Sequence, residues 1–355
     1  MSRRWRSRLQ VSVTMTVALV LAAAVMLAAC GGCGTTAATF PGTAASSPAA
    51  TSQNAMPLPA PTVAGTLAFA RVTTREDDGY VVRTGDICAV RTDGTELTPL
   101  AADGADESQP AWSPDGRQIA YATIRPDDSM NSTVRVMNAD GSGKRRLWSA
   151  LASWSPAWSP DGTQIAFAER EWYTGGWAGS ALGLAVVNAD GSGLRELTLT
   201  SDPHVGDQYP AWSPDGRIVF LRARIGDVLW VNSDGSGLTR VTTGGGHAAF
   251  ALSPDGKQLA IYDQEHDHLV LLPASGDGTP VVLVDNMSQY VPSLSVRLAW
   301  SPDGTALAFA ASSDRARMRM PYPPGSALYV VNADGSGLSV VPNTGKVWDP
   351  AWRPE

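Results

Sequence analysis

The chain has 355 residues, 43% hydrophobic and 17% charged, so it can bury one large core or two ordinary ones. Its formal net charge is -7, and without the four arginines among its first eight residues the remainder is about -11. That balance excludes a nucleic-acid binder, while 35 Gly and 25 Pro mark a chain that turns often.

Residues 1–29 read as a signal peptide rather than as fold. A basic start, "MSRRWRSR", precedes the apolar stretch "LQVSVTMTVALVLAAAVMLAA", which ends at "LAAC", Leu27 to Cys30. Small residues before a cysteine at an apolar edge resemble the lipobox of bacterial lipoproteins. The resemblance implies cleavage before Cys30, lipidation of that residue, export, and anchoring to the cell membrane or the outer membrane. An uncleaved membrane anchor is the alternative, since the run is nearly long enough to span. "SRRW" resembles a twin-arginine signal only in part, because Arg6 and Ser7 stand where that motif has apolar residues. The export route therefore stays open.

Residues 30–61 read as a tether rich in Ala, Thr, Ser and Pro, with no charge and no apolar period. Cys33 falls there and Cys88 in a strand further on. A Cys33–Cys88 disulfide would need an oxidising compartment and finds no support in the spacing. Cys88 reads as a small packed apolar residue.

Residues 62–355 repeat a motif. Copies of "WSPDG" begin at Trp112, Trp158, Trp212 and Trp300; Leu252 replaces Trp in another, and the chain stops on a sixth, "DPAWRPE", at Trp352. The spacings run from 40 to 54 residues, the period of propeller blades or helical arrays. Short β-rich runs such as "QIAFA" and "LAVVN", with no helical apolar period, favour blades. One unit parses as strand a "PAW", turn "SPDG", strand b "QIAFA", a variable loop, strand c "LAVVN", turn "ADGSG" and strand d "LRELT". Both turns carry hairpin chemistry. "NADGSG" has too few acidic positions for a calcium loop. "SPDG" lacks the residue that a sialidase Asp box places between its Asp and Gly. The repeated Trp, ending the innermost strand, is expected to fill the wedge between blades.

Residues 66–100 supply strands b, c and d but no strand a, while "DPAWRPE" is a strand a alone. The fold expected is all-β: a six-bladed β-propeller closed by the C-terminal strand joining the N-terminal blade. The pattern "PAWSPDGxxIAF … LYVVNADGSGLxxLT" resembles the WD-repeat-like propeller units of the TolB family, over roughly residues 62–355. The TolB of the Tol–Pal system carries an α/β domain before its propeller. Only signal and tether precede the ring here, so the partner interactions of that domain do not carry over. Prolyl oligopeptidase-type enzymes join a propeller to a hydrolase domain, for which this chain has neither room nor a G-x-S-x-G elbow.

Antiparallel strands place the a–b and c–d turns on one face and the variable b–c and d–a loops on the other. Function is expected on the variable face. Before each inner strand motif stand Gln109, Ser155, Tyr209, Ala249, Arg297 and Asp349; slightly earlier come Glu107, Trp154, Asp207, His247 and Trp348. One unlike residue per blade, converging on one axis, suits a small ligand or a peptide end. The b–c loop "EREWYTGGWAGS" offers Trp172, Tyr173 and Trp177 to a protein or glycan. Arg315, Arg317 and Arg319 make another loop basic, a solvated face or an anion site.

A binding module for a protein, peptide or envelope glycan is the leading reading. The membrane is met through the N-terminal lipid, with no cofactor, no metal and a monomer expected. The alternative is a hydrolase or lyase acting on an envelope saccharide at the channel mouth. For that, "HDH" (His266 and His268) reads as two rings on one side of a strand, with His204 and His247 in d–a loops on the same general face. Two histidines without an evident third ligand are a weak metal signal, and no pattern selects a nucleophile and its base.

Overall fold

The structure, a computed structural model, describes residues 61–77, 80–124, 132–148, 152–171, 181–199, 205–223, 225–243, 245–289, 295–312 and 327–355. Blade 1 opens with β1 (Thr66–Asp77), β2 (Tyr80–Arg91) and β3 (Thr98–Ala101). Blade 2 holds β4 (Asp106–Trp112), β5 (Gln118–Ile124), β6 (Ser132–Asn138) and β7 (Arg145–Trp148). Blade 3 holds β8 (Ala152–Trp158), β9 (Gln164–Glu171), β10 (Ala181–Asn188) and β11 (Arg195–Leu199). Blade 4 holds β12 (Asp207–Trp212), β13 (Arg217–Arg222), β14 (Asp227–Asn232) and β15 (Thr239–Arg240). Blade 5 holds β16 (His247–Leu252), β17 (Gln258–Asp263), β18 (His268–Pro273) and β19 (Val281–Val284). Blade 6 holds β20 (Ser295–Trp300), β21 (Ala306–Ser312), β22 (Leu328–Asn332) and β23 (Ser339–Val340).

The last strand, β24 (Val347–Trp352), is the inner strand of blade 1, in the order β24-β1-β2-β3. It pairs antiparallel with β1, Leu67 opposite Trp352 and Arg71 opposite Val347. Arg353 N donates to Thr66 O at 2.8 Å. The sequence expectation of six blades closed by shared termini is therefore met, with every described sheet four-stranded and antiparallel.

A large apolar residue at the middle of each strand b is buried. Phe69, Tyr121, Phe167, Phe220, Ile261 and Phe309 are all essentially inaccessible. Each contributes about 1.5–3 kcal/mol through burial. The core is divided between blades: Ala68 and Ile87 of blade 1 pack with Trp112 and Tyr121 of blade 2, and the same pattern recurs around the ring.

Both turns form as their residues dictate. Gly116 N donates to Ser113 O, Ser113 Oγ donates to Asp115, and Gln118 N donates back to Ser113 Oγ. In the outer turn, Gly141 has φ 83°, and a Cβ there would lie 2.5 Å from the Leu100 carbonyl of the neighbouring blade. Only glycine satisfies both the turn and that contact. Gly85 is needed for approach alone: a Cβ would meet the Glu107 carbonyl oxygen at 2.3 Å, between blades 1 and 2.

The repeated Trp does more than fill a wedge. Trp158, Trp212, Trp300 and Trp352 each donate the indole N–H, at 3.1 Å, to the backbone carbonyl of Ala111, Ala157, Ala251 and Ala299 on the preceding blade. Trp112 departs from the pattern. Its buried Nε1 meets no acceptor, and the Arg353 guanidinium lies over its ring.

Candidate functional site

Proline sets the local geometry of the inner strands. It has no N–H for the ladder, and four inner strands carry it, in "QPAW", "SPAW", "YPAW" and "DPAW". At each, the register slips by one residue. The residue before the proline takes a left-handed φ of 53–55°: Gln109, Ser155, Tyr209 and Asp349. In blade 6, where Leu follows Arg297, the ladder runs unbroken from Ser295 to Trp300. The bulges decide what reaches the channel. Unbroken alternation would turn Glu107 and Gln109 the same way; the slip between Ser108 and Ala111 separates them.

One cavity of about 310 Å³ occupies the channel, lined by Gln109, Ser155, Tyr209, Ala249, Arg297 and Asp349, one residue from each blade. It deepens along blades 5 and 6, past Phe250, Leu252 and Pro254 on one side and Leu298 and Trp300 on the other. Those are the blades whose inner strands lack the proline, and in blade 5 Leu252 replaces the large Trp.

The polar groups form a directed relay. Gln109 N donates to Asp349 Oδ2 at 3.1 Å, and Ser155 N donates to Gln109 Oε1 at 2.8 Å. Each step joins the inner strand of one blade to the next. The relay ends at Ser155, whose buried Oγ has no hydrogen-bond partner. On the other side, Arg297 Nε lies 3.1 Å from Asp349 Oδ1. The same guanidinium lies 3.8 Å from the centre of the Tyr209 ring, two blades away. Ala249, on the blade between, is small enough to let the arginine pass.

Of the residues expected at the mouth, the structure brings together Gln109, Ser155, Tyr209, Ala249, Arg297 and Asp349. Glu107, Trp154, Asp207, His247 and Trp348 lie off the cavity wall. Glu107 is 1% exposed, and burial, with Asp103 and Asp86 nearby, pushes its carboxyl up to about 9. Asp207 is fully buried and holds Arg222 through two bonds of 2.7 and 2.9 Å. Burial lowers the His247 pKa against the opposing pull of Asp263 and Asp227. Trp154 packs against the core between blades 3 and 4, and Trp348 against the core between blades 1 and 2. Cys88 is a buried free thiol, pushed up to about 11 by burial. Cys30, Cys33, Trp172, Tyr173, Trp177, His204, Arg315, Arg317 and Arg319 lie outside the described residues.

The "HDH" histidines differ from the strand expected of them. His266 sits in the turn after β17 and only His268 begins a strand, because the hairpin reverses between them. Their rings stack at 6.3 Å, but each takes its own carboxylate: His266 Nδ1 with Asp263 at 2.8 Å, His268 Nε2 with Asp285 at 2.9 Å. Among the described residues, no group of three or more His, Cys, Asp or Glu is placed to hold a metal.

The opposite face is uniform. The "SPDG" turns repeat one bonding pattern, in which a serine hydroxyl holds each aspartate below the usual carboxylate range, from Asp115 to Asp303.

Comparison with known proteins agrees with this geometry. Residues 69–355 match the TolB beta propeller domain. TolB from Acinetobacter baumannii superposes with a TM-score of 0.64 at 19% identity, over 82% of this chain and 67% of that one. A chain of the Kuenenia stuttgartiensis hydrazine synthase gives 0.59 at 14%, over 83% of this chain but 48% of that one. A chain of the nidogen/laminin complex gives 0.56 at 12%, over 81% of this chain and 98% of that one. At these identities the structural likeness is one of fold. No curated protein matches the sequence.

Proposed function

Because the chain belongs to the TolB beta propeller domain family, we propose that it is a binding module. In this reading it is exported, held at a membrane by lipid on Cys30, and monomeric. Residues 62–355 form the ring that takes a segment of a protein or peptide partner into its mouth. The observation that carries the reading is the contrast between the two faces. Six unlike residues, one per blade, converge on one cavity, while the opposite face repeats the same two turns, "SPDG" and "DGSG". A rigid scaffold with one diversified mouth is the arrangement that binding sites on propellers and barrels share. A chain of this fold occurs in the nidogen/laminin complex, which supports a protein as partner.

Affinity capture from the native envelope tests it, using the full chain and an Ala249→Trp variant that fills the mouth. A partner retained by the wild type and lost from the variant is the expected result. A partner retained equally by both moves the binding face elsewhere.

A further inference from the structure

Resting on the mouth as the binding face, we propose that the cavity receives the carboxylate end of a peptide. The carboxylate is held between the Ser155 hydroxyl and the Arg297 guanidinium. Ser155 is 7% exposed, lines the cavity, and its Oγ has no partner. A buried hydroxyl without a protein partner is unfavourable, so a ligand atom that accepts from it gains a bond the protein itself does not supply. The relay from Asp349 through Gln109 reaches Ser155 by its backbone N–H, which keeps the hydroxyl available for something else.

Arg297 supplies the charge. It is the one cation of the lining, and its side chain is 18% exposed. Its position over Tyr209 carries the guanidinium across the channel to the blade beside that of Ser155. Asp349, the one carboxylate of the lining, is engaged by Gln109 N–H and by Arg297 Nε. A guanidinium carries its charge over a planar fork of five donors, a geometry that matches a carboxylate. The low-dielectric wall strengthens that attraction.

The remaining lining selects the source of the carboxylate. Prolines, alanines, Phe250, Leu252, Leu298 and Trp300 make the wall apolar. Such a wall offers few bonds to the hydroxyls of a uronic acid but suits the Cα atoms and small side chains of a peptide. The volume, about 310 Å³, admits a chain end rather than a folded partner.

The test is calorimetry on the full chain with three probes: N-acetyl-trialanine as the free acid, the same peptide as its C-terminal amide, and galacturonic acid. The acid should bind at least tenfold more tightly than the amide. Ser155→Ala should weaken the acid at least threefold and leave both the amide and the melting temperature unchanged. Arg297→Lys, which keeps the charge but loses the fork, should weaken the acid too. Equal binding of acid and amide, both lost in Ala249→Trp, overturns the carboxylate and leaves the mouth as binding face. Equal binding that survives Ala249→Trp overturns both readings. Tighter binding of galacturonic acid than of the acid peptide overturns the peptide, and binding of none of the three overturns the proposal outright.

Discussion

Glu107 sits at the boundary of blades 1 and 2 with one carboxylate oxygen unbonded, near Asp103 and Asp86 and with Lys144 as an opposing charge. Its folded pKa, about 9, is above the unfolded value of 4.5. The folded state thus holds the proton longer than the unfolded chain, so stability falls as pH rises between those values. Glu107→Gln removes this penalty at nearly constant shape. Its melting temperature should exceed wild type by about 2 °C or more at pH 8 and match it near pH 4; a variant no more stable at pH 8 removes the account. The channel six were legible in the sequence because "PAW" fixes a register, and the residue before it must occur once per blade. The separation of Gln109 from Glu107 was not, because nothing in glutamine or serine announces a left-handed backbone. The signal was the proline after them, which breaks the ladder and leaves the bulge as the way to continue the strand.

The inner strand and its indole link show how one element joins the next. Trp158→Phe keeps most of the ring but leaves the Ala111 carbonyl without its donor. A loss of about 1–2 kcal/mol is expected in urea unfolding. Leu252 stands where five other units carry Trp, and the corresponding carbonyl on the preceding blade is that of Ala211. Leu252→Trp should restore the link and raise the urea midpoint by an amount equivalent to about 0.5–1.5 kcal/mol. It should also narrow the cavity at blade 5. A lower midpoint would mean that the wedge cannot accept the larger ring. Tryptophan as interblade packing followed from the sequence; its hydrogen bond did not, because the acceptor lies some fifty residues away on another unit. The turn within "HDH" is hidden in the sequence for a related reason. Six residues of strand followed by a four-residue turn, with Asp267 at φ 61°, cannot be told from a longer strand by alternation alone.

At the scale of the molecule, β24 closes the ring. Trp352 is buried in the core between blades 6 and 1, and its loss alone removes roughly 1.5–3 kcal/mol of burial. Deleting residues 349–355 also exposes the inner edge of β1 and cuts Asp349 from both Gln109 and Arg297. The truncated chain should melt at least about 10 °C lower and should aggregate through the opened edge; melting that matches the full chain excludes the shared blade as the closure. This architecture was the most legible feature, since a repeat fragment at the end and an incomplete unit at the start complete one another. The depth of the cavity was less so, because it depends on which of six similar units lacks both proline and tryptophan.

The hydrogen bond between Arg353 and Thr66 has a directional consequence. It brings the beginning and the end of the propeller together beside the repetitive turns, where β24 finishes and β1 starts. Residues 61–65 therefore join the propeller at the rim of the monotonous turns, and the mouth opens at the other end of the channel, clear of both the entry and the exit of the ring.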